Sequence, residues 1–153
     1  MAESTYAYRL RLRRAAAGLS QRELADMSGV KQPLISAIER GRREPTDAVR
    51  QLLEQSLQVR PSQVLRVTRP EVKKALTAVG GTNVRVVGSV AAGTDEVGSD
   101  LDLIVEFPPE ADIVTLLGLE DDLCALLTVP VDVISAGSSG SLGKATGTQA
   151  VPL

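Results

Sequence analysis

The segment from Gly88 to Asp102, GSVAAGTDEVGSDLD, places the strongest constraint on how this chain can fold. It follows one apolar run and leads directly into another, so its last residues are predicted to begin a strand. Because side chains alternate along a strand, burial of Leu101 directs Asp100 and Asp102 to the same face. Two carboxylates that close repel each other unless a cation lies between them, which predicts a site for Mg²⁺ or Mn²⁺.

The beginning of the same segment has the composition of a tight turn before a short helix. Gly88 and Ser89 offer free backbone N–H groups and a hydroxyl, which are groups that bind phosphate at such turns. A phosphate-binding turn close to metal-binding carboxylates indicates a site that handles nucleotides.

This spacing resembles the signature of a known family. Gly88-Ser89, ten further residues and then Asp100-x-Asp102 are similar to the DNA polymerase beta-like nucleotidyltransferases, in particular the minimal ones that are antitoxins of HEPN toxins. The resemblance covers about residues 70–135. It implies that Asp100, Asp102 and Asp132 are the catalytic, metal-binding carboxylates, and that Gly88 and Ser89 bind the nucleotide. It also implies Mg²⁺ or Mn²⁺ as cofactor and a nucleoside triphosphate, expected to be ATP, as substrate.

One position departs from the family pattern. Members commonly carry Arg or Lys where this chain has Ala92, and that cation helps to neutralise the triphosphate. Its absence predicts weak or slow transfer. Arg85 lies on the preceding strand, and its parity is expected to point it away from the site.

Composition excludes several other kinds of site. The 153 residues include no histidine, which rules out histidine acid–base catalysis and most zinc sites. The only cysteine, Cys124, lies in an apolar helical pattern and is expected to be buried, which excludes an internal disulfide and fits a reducing cytoplasm. There is no apolar run of about 18 residues and no secretory signal pattern, so a cytoplasmic protein without a membrane span is expected.

The net charge of −2 conceals two oppositely charged halves. Residues 1–69 contain 13 Lys and Arg against 7 Asp and Glu, a net charge of +6. Residues 70–153 contain 4 against 12, a net charge of −8. A basic half joined to an acidic half predicts one part that binds a polyanion and one that binds metal or another partner.

The basic half contains two short helical patterns joined by a tight turn. Ser20 and Glu23 have the spacing of a capping box at the start of one helix, which ends at Gly29. The next helix has Pro33 in its first turn and ends at Gly41. This arrangement predicts a helix-turn-helix.

These residues resemble the Cro-repressor or XRE-type DNA-binding domain over about residues 6–66. The resembling motifs are Leu19-Ser20-Gln21-Arg22-Glu23-Leu24-Ala25, Gly29-Val30 and Ile35-Ser36-x-Ile38-Glu39-Arg40-Gly41-Arg42-Arg43-x-Pro45. The family fold implies a dimer that inserts its third helix into the major groove of duplex DNA. The residues expected at the DNA are Gln21, Lys31, Gln32, Ser36, Arg40, Arg42 and Arg43, with Gln32 reading an adenine edge. The arginines of the first helix are expected on a solvated face: Arg9, Arg11, Arg13 and Arg14.

The predicted fold class is α/β with an all-α N-terminal domain. A five-helix, lambda-repressor-like helix-turn-helix domain is predicted for residues 1–68, a small nucleotidyltransferase α/β sheet domain for 69–135, and a flexible Gly/Ser-rich tail for 136–153. The boundary separates a short fifth helix near residues 62–65 from a helix that begins at Pro70.

Two functions remain open at this point. The first is a DNA-binding regulator that represses its own promoter and, as an antitoxin, transfers a nucleoside monophosphate, expected to be AMP, to a HEPN-type toxin. The second is a plain transcriptional repressor whose nucleotidyltransferase domain is degenerate and serves only binding. The three carboxylates favour the first, and Ala92 favours the second.

Overall fold

The computed structural model describes residues 5–137 and 149–153, and it divides the chain into two compact units, residues 1–59 and 60–153. The first unit contains α1 (Thr5–Ala16), α2 (Gln21–Ser28), α3 (Gln32–Glu39) and α4 (Asp47–Ser56). The second contains α5 (Pro61–Ala78), β1 (Thr82–Val87), α6 (Gly88–Ala92), β2 (Leu101–Glu106), α7 (Ile113–Leu127), β3 (Val131–Ser135) and β4 (Val151–Pro152). Within the described ranges, no helix combines the length and the apolar character that crossing a bilayer requires.

Side-chain caps define where the helices of the first unit begin. The Ser20 hydroxyl accepts the Glu23 N–H at 3.1 Å, and the Glu23 carboxylate accepts the Ser20 N–H at 2.7 Å, which is the predicted capping box. Helix α2 ends where Gly29 adopts the left-handed conformation with φ of 75°. Thr46 caps α4 in the same way as Ser20, through the Val49 N–H.

The core of the first unit is aliphatic with one tyrosine. It consists of Tyr6, Leu10, Leu24, Val30, Ile35, Ile38, Leu53 and Leu57. Four of these residues lie in the helix-turn-helix itself, Leu24, Val30, Ile35 and Ile38, whereas Ala25 is only partly buried against this cluster.

The second unit is built on a mixed sheet with strand order β3-β2-β1-β4. β2 and β3 are parallel, whereas β1 is antiparallel to β2 and to β4. Leu101, Leu103 and Val105 of β2 are fully buried, and α7 packs against both α5 and β3. This alternation leaves Asp102 and its lateral neighbours on the second face of the sheet.

Helix α5 runs through the position at which two domains were expected to join. The expected short helix near residues 62–65 and the helix beginning at Pro70 are one helix, and the structure divides the chain before it, at residue 59, instead of near residue 68. A stripe of buried residues at a spacing of four crosses Pro70 without a break: Val64, Thr68, Val72 and Leu76. Pro70 itself lies on the exposed side, where water can hydrate the carbonyl that loses its partner.

The end of the predicted flexible tail is ordered. Val151–Pro152 pairs with β1, and the Leu153 N–H donates to the Val84 carbonyl at 3.1 Å. Without this strand, β1 would present unpaired backbone groups at the edge of the sheet. The prediction missed it because the pairing segment comes from far along the chain and has no strand pattern of its own. Residues 138–148 of the same prediction lie outside the described residues.

Candidate DNA-binding and nucleotide sites

The helix-turn-helix places the predicted DNA-binding residues at the start of α2, along α3 and in the turn that follows. Gln32 is the first residue of α3 and is half-buried, as are Gln21 and Ser36. The basic residues of this set are all exposed, and none has an ion-pair partner among the described residues: Lys31, Arg40, Arg42 and Arg43. Exposed, unpaired cations around the first turn of α3 suit contacts with phosphates.

A chain of hydrogen bonds connects Gln32 to the interior of the first unit. The Gln32 amide donates to the Gln21 amide oxygen at 2.9 Å, and the Gln21 amide donates to Glu39 at 2.8 Å. Arg14 donates to both Glu39 carboxylate oxygens, at 2.6 and 3.0 Å. The Glu39 side chain is only 3% exposed, so the bidentate pair is a fixed, buried point to which the two glutamines are hydrogen-bonded.

Glu39 is a residue whose role the sequence did not predict. The hydrogen bond from Arg14 to Glu39 raises the pKa of Arg14 above the ordinary arginine value. A glutamate in the last turn of α3, where most neighbours are apolar, was the available signal, because a buried carboxylate requires a cationic partner.

The arginines of α1 are only partly on the expected solvated face: Arg11 is exposed, whereas Arg9, Arg13 and Arg14 are half-buried. Arg14 pairs with Glu39, and Arg11 donates to the Glu39 carbonyl at 2.9 Å. Arg13 reaches the Leu57 carbonyl at 3.5 Å, and burial lowers its pKa. Arg9 lies 4.0 Å from Glu54. Arg11, Arg13 and Arg14 thus donate to backbone carbonyls of their own unit, which satisfies acceptors there.

In the second unit, the register of the strands brings the candidate site together. Asp102 of β2 is directly beside Asp132 of the parallel strand β3, and directly opposite Val87 of the antiparallel strand β1. Neighbouring residues in register share a face of the sheet, so the two carboxylates lie side by side. Val87 is followed at once by Gly88, which places the predicted phosphate turn at the same edge.

Gly88 is in contact with Asp102. It adopts the left-handed conformation with φ of 72°, and a methyl group added to its Cα would lie 2.5 Å from the Asp102 carboxylate oxygen Oδ2. Only glycine leaves room for that carboxylate at the turn. Ser89 is half-buried in the first turn of α6, and its carbonyl accepts the Thr94 N–H at 2.9 Å, which closes the loop.

Asp100 precedes β2 and is exposed, while Leu101 between the two aspartates is fully buried. Within residues 5–137 and 149–153, no three acidic or cysteine side chains converge closely enough to enclose a metal ion. The adjacent pair Asp102 and Asp132 still fits Mg²⁺, which proteins commonly bind through one or two carboxylates, with water and substrate phosphates completing the shell.

Two side chains near this site lie where the sequence did not place them. Arg85 is opposite Ile104, two residues before Val87, and therefore lies on the same face as Asp102 instead of pointing away. The strand has apolar residues at both parities, so only pairing decides its orientation. Asp95, in the loop between α6 and β2, is 4% exposed and accepts the Ser62 N–H at 2.9 Å, which connects the loop to the first turn of α5.

Comparison with known proteins agrees with a DNA-binding first unit and a nucleotide-binding second unit. A helix-turn-helix family model matches residues 10–64, and a nucleotidyltransferase domain model matches residues 65–145. A solved structure described as a candidate minimal nucleotidyltransferase is 35% identical, with a TM-score of 0.52. That match covers 60% of this chain and 95% of the other. No curated protein matches significantly.

These matches confirm the predicted fold class, a helical region with an XRE-type helix-turn-helix followed by a mixed α/β sheet domain. A nucleotidyltransferase domain generally uses a nucleoside triphosphate and a divalent metal. Since the second match spans more than half of the chain, and nearly all of a solved relative aligns with it, the chain belongs to the nucleotidyltransferase family.

Proposed function

We propose that this chain is a DNA-binding regulator that transfers a nucleoside monophosphate, AMP from ATP, to a hydroxyl of a partner protein. The observation that carries the transfer activity is the register that sets Asp102 beside Asp132 with Gly88 against the Asp102 carboxylate. A phosphate turn and two carboxylates at one sheet edge are what in-line phosphoryl chemistry requires.

The proposed roles are divided between the carboxylates and the turn. Asp102 holds the metal from β2 together with Asp100, which immediately precedes that strand, and Asp132 completes the set from β3. The backbone of Gly88 and the Ser89 hydroxyl bind phosphate oxygens at the start of α6. Magnesium or manganese bound here supplies charge for the leaving pyrophosphate and lowers the pKa of the attacking hydroxyl.

The partner proposal rests on the resemblance to antitoxin nucleotidyltransferases. The acceptor is a HEPN-type toxin in the cytoplasm, and the helix-turn-helix binds the promoter of its own operon as a homodimer. Gln32 reads a base edge, while Gln21, Lys31, Ser36, Arg40, Arg42 and Arg43 contact the DNA around it.

Ligand-dependent stability tests the nucleotide site. A ligand that binds only the folded state raises the Tm, so ATP with Mg²⁺ should raise it for the wild type. Asp100→Asn combined with Asp102→Asn should abolish the rise and leave DNA binding intact. A full response in this double variant would show that these carboxylates are not the site.

Incorporation of labelled nucleotide tests the transfer itself. Label from ATP should appear in a co-expressed toxin, or in the chain itself, and should disappear in the Asp102→Asn variant. The absence of label in both, with the fold intact, would leave the second function: a repressor whose degenerate domain only binds. Ala92 favours this second function, because the turn itself contributes no cation.

A further inference from the structure

Arg85 is a basic residue in the middle of the acidic sheet. Its neighbours across the strands are Ile104 on one side and Pro152 on the other. Asp102 lies one strand over and two residues along, a diagonal distance of roughly 7–8 Å between Cα atoms, which a long side chain can span. Among the described residues, Arg85 is the only basic residue in any strand.

The guanidinium of Arg85 has an unused donor. Its Nε is buried, yet it has no hydrogen-bond partner within the described part of the chain. Buried polar groups are rarely left without an acceptor, and such an atom in a native fold calls for a specific explanation. An acceptor that arrives with a ligand would satisfy it.

Charge at this edge indicates what that ligand is. The turn Gly88–Gly93 contains no Lys or Arg, and Asp102 and Asp132 add negative charge beside it. A triphosphate brings about four further negative charges, which two divalent ions would balance only if the carboxylates were neutral. Phosphate oxygens are strong acceptors that arginine binds through several donors at once.

We propose that Arg85 binds the phosphate chain of the nucleoside triphosphate and supplies the cation that the turn lacks. This inference rests on the proposed nucleotide transfer. A phosphate oxygen accepts the unused Nε–H, and the rest of the guanidinium lies beside the Asp102 carboxylate, whose charge it partly offsets.

The binding of ATP and adenosine distinguishes phosphate recognition from a general effect on the fold. NMR titrations of the full chain, with Mg²⁺ present, give both affinities for the wild type, for Arg85→Gln and for the matched control Lys74→Gln. Lys74 is exposed on α5, outside the strands that carry Asp102 and Asp132, so its loss removes the same charge elsewhere. Arg85→Gln should weaken ATP binding by about tenfold or more, and leave adenosine binding unchanged.

Two further variants distinguish a loss of phosphate binding from misfolding of Arg85→Gln. Arg85→Lys keeps the charge but loses the planar fork, and it should bind ATP with an affinity between those of the wild type and Arg85→Gln. Arg85→Gln combined with Ala92→Arg restores a cation at the turn and should recover ATP binding.

Equal ATP affinity in Arg85→Gln and Lys74→Gln would overturn the proposal while the nucleotide site stands. A parallel loss of adenosine binding would also overturn it, because Arg85 would then support the fold and not the phosphates. If the wild type binds neither ligand, the proposed transfer function fails together with it.

Discussion

The two units hold their polar residues together in different ways. In the first unit, side chains from α1, α2 and α3 are joined directly, from Arg14 through Glu39 and Gln21 to Gln32. In the second unit, backbone pairing aligns the residues, with Asp102 beside Asp132 and diagonal to Arg85. The first arrangement balances its charges internally, whereas the second leaves an excess of carboxylates for a cation to balance.

This difference determines whether a mutation at the site should also affect the stability of its unit. Loss of one member of the Arg14–Glu39 pair leaves its buried partner without compensation, so stability and DNA binding should fall together. Loss of a carboxylate on the sheet removes repulsion as well as a ligand, so nucleotide chemistry should fail while the fold persists.

The largest expected effect is on transfer. Asp102→Asn removes the carboxylate that contacts Gly88 and neighbours Asp132, and it should reduce labelled-nucleotide incorporation by about a hundredfold or more. Asp122→Asn is the matched control, because Asp122 is exposed on α7. Promoter binding should be the same in both variants, and a loss of DNA affinity specific to Asp102→Asn would break the separation of the two units.

The next largest effect is on the stability of the first unit. Glu39→Ala should lower the free energy of unfolding by about 3 kcal/mol, since it leaves the half-buried Arg14 without its carboxylate and with only the Leu19 carbonyl as acceptor among the described residues. Urea denaturation measures this, and Glu54→Ala is the control, because Glu54 is half-exposed and 4.0 Å from Arg9 and should cost less than about 1 kcal/mol. A similar loss of stability in both variants would mean that the buried Arg14–Glu39 pair contributes no more than the exposed Arg9–Glu54 pair.

Base recognition should respond on a smaller scale. Gln32→Ala should weaken binding to the preferred site by about 1–3 kcal/mol and relax the preference at one base pair. Arg40→Ala should instead weaken binding to all DNA sequences equally and reduce the salt dependence of binding. Filter or fluorescence titrations at several salt concentrations separate the two patterns. If Gln32→Ala lowers the affinity for all DNA sequences equally, Gln32 holds Gln21 in place and reads no base.

Local features explain which parts of this structure could be predicted. Ser20 and Glu23 satisfy each other within one turn, and Gly88 with Asp102 is a motif of adjacent elements, so short-range spacing identified both. The contribution of Arg85 depends on which residue of β2 lies opposite it, and that of Val151 on a strand returning from far along the chain. Such pairings are set by the whole sheet, and no local pattern encodes them.

The smallest expected effect compares the helix caps of the two units as the pH falls. Thr115 donates its N–H to Asp112 at 2.7 Å, which lowers the pKa of that carboxyl, and Ser20 does the same for Glu23. A lowered pKa means that the contribution to stability is present above the unfolded value, about 4, and is lost as the pH falls through the folded value. Asp112→Asn should therefore flatten the decrease in Tm below about pH 4, whereas Glu110→Gln, at an exposed loop position, should leave it unchanged. An Asp112→Asn protein whose Tm falls with acid as steeply as that of the wild type would show that this cap does not contribute to the acid response.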